Sequence, residues 1–180
     1  MIDRARFFDR ARAQPFGGRM SQGQVDGCNF ILNSWEKWPD GEDIRWLAYM
    51  LATAKWETAH TMQPIEEYGK GRGRAYGVPV NGQVYYGRGY VQLTWATNYA
   101  RMAALTGVDL VGRPELALEP KIAALIMFEG MKGGLFTGLG LPRYFSDSRD
   151  DPVGARKVIN GTDHDHDIAA IHAGFLGALL

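Results

Sequence analysis

Cysteine is almost absent from this 180-residue chain: Cys28 stands alone, so no intramolecular disulfide can staple the fold. Its apolar spacing with Val25, Ile31 and Leu32 reads as a small buried hydrophobe, and maturation in a reducing compartment is the expectation. Neither sign of charge is in excess, since 20 Lys and Arg balance 20 Asp and Glu. Such a chain lacks the global basic field that would hold it on nucleic acid or anionic lipid. No run approaches the roughly 18 consecutive apolar residues of a membrane helix, so no membrane insertion is expected. Met1-Ile2-Asp3-Arg4 does not open the charged-then-apolar pattern of a signal peptide. Repeats and low-complexity linkers are missing too. What remains is 46% hydrophobic, with five Trp, eight Tyr and eight Phe, the composition of one ordered domain over residues 1–180.

Helical signals dominate. Residues 2–13 form a short amphipathic segment, with Ile2, Phe7 or Phe8 and Ala11 set against arginines. Ser21 reads as the N-cap of a helix to about Trp38, and Pro39-Asp40-Gly41 breaks it. A third helix is expected from Asp43 to His60, with Ile44, Leu47, Leu51 and Ala54 as its stripe. Between Gln63 and Gln83 the chain turns Gly-rich and basic, which reads as a mobile loop. Tyr85 to Trp95 is the best strand candidate. Further helices should begin at Thr97-Asn98 and end at Gly107, and begin at Glu119-Pro120 and end at Gly133-Gly134. Asp151-Pro152 opens a short helix ending at Asn160-Gly161, and Thr162 should cap the last one. Helices, one small β element and no βαβ alternation give a mainly α (α+β) class.

Within this frame two acids stand out. Trp46, Met50, Thr53 and Glu57 share one arc of the third helix, which would leave Glu57 partly desolvated. Partial desolvation is how a carboxyl keeps its proton near neutrality, as a general acid must. Glu66 and Glu67 lie beyond it in a polar loop, where a carboxylate stays ionised. A protonated and an ionised carboxyl together are what glycosidic cleavage requires, although a helix-end glutamate and an acidic loop explain the same residues plainly. Alternation along Tyr90 to Trp95 would send Val91, Leu93 and Trp95 to the core. Tyr90, Gln92 and Thr94 would then face a cleft, as an aromatic and two hydrogen-bonding groups suited to sugar. A solvated strand face is the plain alternative.

Lys55-Trp56-Glu57-Thr58-Ala59, Met62-Gln63-Pro64-Ile65-Glu66-Glu67, Asn98-Tyr99 and Val158-Ile159-Asn160-Gly161 together resemble glycoside hydrolase family 19, the family of chitinases and many phage endolysins. Tyr85-Tyr86-Gly87-Arg88-Gly89-Tyr90-Val91-Gln92-Leu93-Thr94-Trp95 is the most specific part of the resemblance, which covers about residues 20–180. It implies a lysozyme-like helical domain whose small β element lines a substrate cleft. Carried over, it implies Glu57 as general acid, Glu67 as general base and Thr94 as a positioner of water. Gln92, Asn98 and Asn160 would bind sugar; beside the resemblance, Tyr90 on the strand face and Glu66 in the loop are further candidate substrate contacts. Trp56 stands where the family often has His. The base falls on Glu66 or Glu67, and the spacing from Met62 favours Glu67. The implied reaction is inverting and uses neither cofactor nor metal.

Peptidoglycan is the expected polymer and a monomer the expected state. The resemblance fits a phage lysin made in the host cytoplasm that reaches the wall after release. A chitinase and a non-catalytic wall-binding module are the rivals. Asp163-His164-Asp165-His166-Asp167 mimics a metal cluster but suits the first turn of a helix, where acids meet the positive end of the dipole. Gly69-Lys70-Gly71-Arg72-Gly73-Arg74 lacks the strand and the Gly-Lys-Ser/Thr ending of a phosphate loop, so nucleotide binding is not expected, and a basic rim or a plain surface loop remains. The N-terminal arginines alternate with Asp3 and Asp9 as on a solvated helix face.

Overall fold

A computed structural model describes all 180 residues. Six helices run in the order α1 (Arg4–Ala13), α2 (Gln22–Trp35), α3 (Ile44–Glu57), α4 (Ala96–Thr106), α5 (Pro120–Gly133) and α6 (Asp165–Leu179). Two small antiparallel pairs join them: β1 (Ile65–Glu66) with β2 (Arg88–Gly89), and β3 (Phe145–Ser146) with β4 (Arg149–Asp150).

Local chemistry accounts for most helix ends. Ser21 accepts from the Gln24 amide while the Gln24 side chain accepts from the Ser21 amide, a full capping box. Asp43 caps α3 by accepting from the Arg45 amide. Gly107 and Gly134 close α4 and α5 in the left-handed conformation, and Pro120 sits in the first turn of α5, where a missing N–H costs nothing. Thr162 does not cap α6. His164 occupies that place in a left-handed conformation, and its Nδ1 pairs with Asp167 Oδ2 at 3.0 Å.

The core is built around α3. Every residue from Trp46 to Lys55 is buried, so the helix is surrounded rather than striped. Its main partner is α6, which α1 covers from the other side, while α2 and α5 close the remaining flanks. Phe7, Ile31, Leu32, Leu47, Leu51 and Phe175 are all fully buried there. Cys28 lies in this core, and burial pushes its thiol up to about 12, which makes it an inert filler.

The chain leaves α3 sharply. Ala59, His60 and Met62 all have positive φ, and Thr58 Oγ1 both donates to the Ala54 carbonyl and accepts from the Met62 amide. Gly27 makes room for this exit: a Cβ there would lie 1.9 Å from the Met62 carbonyl oxygen.

His172 of α6 is almost fully buried between the rings of Tyr49 and Phe145, and burial lowers it to about 4. The unfolded chain takes up that proton near pH 6.5. The neutral imidazole therefore contributes stability that is present above about pH 6.5 and lost as the pH falls toward 4. Denaturant titrations at pH 7 and 4.5 should differ by about 2–3 kcal/mol from this group. His172→Phe should remove that part of the difference, and an unchanged pH dependence would refute it.

Candidate active site

The β1–β2 pair sets the site. Ile65 pairs with Gly89 and Glu66 with Arg88, and the ladder continues as the Glu67 amide donates to the Gly87 carbonyl at 2.7 Å. After Gly89 the chain is not the strand that alternation predicts. Tyr90 to Gln92 form a turn, Gln92 and Trp95 have φ of 52° and 72°, and only isolated bonds between Arg88 and Leu93 continue the pairing. A reversal of the chain scrambles the two faces. Tyr90 is therefore fully buried, not on a cleft floor, and burial raises its phenol. Trp95, expected in the core, is 47% exposed.

This turn lines a cavity of about 500 Å³, within the range of small-molecule and sugar sites. Glu57, Glu67, Gln92, Thr94, Asn98 and Asn160 all reach it, although they come from five separate segments of the chain. Tyr76, Trp95, Phe136, Thr137 and Ile159 complete much of the wall.

Glu57 is the last residue of α3, where the helix emerges from its neighbours. Trp46 and Met50, its expected apolar surroundings, turn into the core instead. The group that meets it is Arg156, whose Nη1 donates to Glu57 Oε1 at 2.7 Å. Arg156 comes from the 3-10 segment Gly154–Val158, is 3% exposed, and donates its Nε–H to the Asp163 carbonyl. Asp151 starts that segment by accepting from the Gly154 amide. Nothing in the sequence marks Arg156, one of two adjacent cations between Ala155 and Val158. Trp56 does not line the cavity. It packs on the rings of His164 and His60, at 4.6 and 6.1 Å.

Glu67 holds its carboxylate over the cavity with two donors. Tyr76 Oη donates to Oε1 at 3.1 Å and the Gly87 amide to Oε2 at 3.2 Å. Glu66 sits one residue earlier in the pleat and does not line the cavity. Its two oxygens accept from Lys70 and Tyr86, both at 2.8 Å, and these bonds hold its carboxyl below the usual range. As a substrate contact Glu66 is thus displaced by its own partners. The Gln92 amide donates to the carbonyls of Ile65 and Gly89, fastening the turn to β1. Under the turn lies Arg88, nearly buried, with its guanidinium 3.6 Å from the Tyr86 ring centroid. It donates to the carbonyls of Val84 and Tyr86 and to the Tyr99 hydroxyl. The side chains of residues 163–167 pair locally, and nowhere do three His, Cys, Asp or Glu side chains converge as a metal site would require.

The fold has relatives. Chitinase C from Streptomyces griseus HUT6037 matches with a TM-score of 0.62 over 98% of this chain and 76% of its own, at 19% identity. The family GH19 class IV chitinase from Zea mays matches at 0.56, over 94% of this chain and 87% of its own, at 18% identity. The fold is that of the GH19 chitinases. Sequence similarity outside the fold is confined to a short stretch. Endochitinase CH5B of Phaseolus vulgaris is 49% identical over 35 residues, which span 19% of this chain and 11% of that protein. No protein-family model matches the chain. Within the GH19 fold, the six cavity residues come from the Glu57, Glu67, Gln92–Thr94, Asn98 and Asn160 segments that carry the sequence resemblance.

Proposed function

We propose that the chain is a glycoside hydrolase that cuts β-1,4-linked amino-sugar polymers by single displacement. The observation that carries this reading is that Glu57 and Glu67, on independent elements, share one cavity with neutral hydrogen-bonding side chains. Neutral amides and hydroxyls suit sugar hydroxyl and acetamido groups, and Trp95 offers a ring face beside them. Glu57 gives its proton to the glycosidic oxygen as the bond from that oxygen to the anomeric carbon breaks. A water oxygen bonds to the same carbon from the opposite face, and Glu67 takes the water's proton. The anomeric configuration inverts, and the carboxyls must stand about 6.5–9.5 Å apart to admit the water. Thr94 orients that water, while Gln92, Asn98 and Asn160 hold the sugar. Each step uses only these side chains and water.

Chitin-type polymers of N-acetylglucosamine are the leading substrate, because the solved proteins of this fold named above are chitinases. Peptidoglycan is the second reading, favoured by the Met62-Gln63-Pro64-Ile65 and Gln92-Leu93-Thr94-Trp95 segments, whose wording resembles phage and bacterial members. Purified protein should be incubated with N-acetylglucosamine oligomers and, separately, with purified peptidoglycan. Mass spectrometry should find shortened oligomers, and NMR should find the α-anomer formed first. Fragments from peptidoglycan alone would shift the substrate to the second reading. Cleavage of neither would reduce the chain to a wall-binding module.

A further inference from the structure

Glu67 stands on a loop, and a general base on a loop needs something to fix it. We propose that Tyr76 is a positioning residue for the base, its hydroxyl holding the Glu67 carboxylate in the orientation that receives the proton of the attacking water. The proposal rests on the hydrolase reading of the site.

Tyr76 lies nine residues after Glu67, on the short 3-10 turn Ala75–Gly77, inside the Gly-rich segment that composition marks as mobile. Two glycines fold it back. A Cβ on Gly77 would lie 1.8 Å from the Gly71 carbonyl oxygen, and one on Gly71 2.8 Å from the Gly77 Cα. Backbones can cross that closely only where both residues lack side chains. Amide-to-carbonyl bonds from Lys70 to Glu67, Arg72 to Gly69, Arg74 to Gly71 and Gly77 to Arg74 make the segment a chain of linked turns. The crossing brings Tyr76 Oη to 3.1 Å from Glu67 Oε1, and the Tyr76 ring meets the Trp95 ring edge-on, at 5.6 Å and 76°. Trp95, about half exposed, lines the same cavity.

The two donors divide the work. Gly87 holds Oε2 from the β1–β2 side and Tyr76 holds Oε1 from the loop side. A carboxylate has about four lone-pair directions, so two remain for water after both bonds are made. With one donor gone, the carboxylate can swing about its last torsion, and the fraction of time it faces the water falls. Tyr76 therefore bears on turnover, while sugar affinity rests with the amides elsewhere in the cavity. Burial raises the Tyr76 phenol, and the Glu67 carboxylate beside it adds to the rise, as expected if the two are in contact.

Tyr76→Phe keeps the ring and its edge contact with Trp95 and removes only the donor. On the oligomer or wall fragment that the wild type cleaves, kcat should fall about tenfold while KM changes less than about twofold. A raised KM with kcat intact would make Tyr76 a sugar contact and overturn the proposal, as would wild-type values for both. A second readout needs no substrate: NMR of the ring carbon bearing the Tyr76 hydroxyl, titrated with pH. Glu67→Gln should lower the Tyr76 titration toward that of a free tyrosine, and an unmoved titration would show that the pair is not joined in solution. If the wild type cleaves no glycan, the hydrolase reading falls and takes the role of Tyr76 with it. Cleavage with an indifferent Tyr76→Phe sinks the positioning role alone.

Discussion

A Glu57→Gln protein should fold and lose at least about a hundredfold in kcat, the usual worth of general acid catalysis. The amide keeps the shape and still offers Arg156 an acceptor, but it has no proton to give the leaving oxygen. Some stability goes with it. Arg156 is nearly buried and Glu57 is its only acidic partner, so any imperfect fit of the replacement amide leaves a buried cation poorly met and should cost about 1–2 kcal/mol. Circular dichroism and a denaturation curve separate the two effects, provided the assay is run well below the lowered melting temperature. A folded variant that turns substrate over at the wild-type rate would remove Glu57 from the chemistry.

The adjacent acids give the second large contrast. Glu67→Gln should cost about a hundredfold or more in kcat, since only the carboxylate in the cavity can deprotonate water. Glu66→Gln breaks a salt bridge to Lys70 whose partners are 39% and 60% exposed, a pair that water screens and that contributes little to stability. Its turnover should stay within a few-fold of wild type. Both proteins would be assayed on the same substrate after a check of folding. A dead Glu66→Gln beside an active Glu67→Gln would mean that the loop runs one residue out of register with the arrangement described here.

The parts of the molecule written in short-range chemistry were legible from the sequence. Ser21, Gly107, Glu119-Pro120 and Gly134 mark helix ends because capping depends on residues within one turn of each other. Among the cavity residues, Glu57, Gln92 and Thr94 were already candidates from helical and strand periodicity, whereas Asn98 and Asn160 came from family resemblance alone. Periodicity misled at Tyr85–Trp95, where alternation presumes an extended chain. The positive φ of Gln92 and Trp95 turns the chain twice, which buries Tyr90 and exposes Trp95. Nor could α3 be read correctly as a one-sided helix, because its burial on every flank comes from α2, α5 and α6 together. Arg156 and Tyr76 were invisible for a similar reason. Each matters through a partner 99 or nine residues away, across a fold that spacing alone does not supply.

The acid and the base are mounted very differently. Glu57 ends a helix that cannot move without disturbing the whole core, whereas Glu67 belongs to a segment fastened mainly by β1–β2, Gln92 and Tyr76. Residues inserted or deleted between Glu67 and Gly87 would lengthen or shorten a surface excursion at little entropic cost and leave the helices untouched. The gap between the two carboxyls, and the thickness of the chain it admits, can thus drift in evolution independently of the fold. A scaffold divided in this way can be handed new polymers by editing one loop.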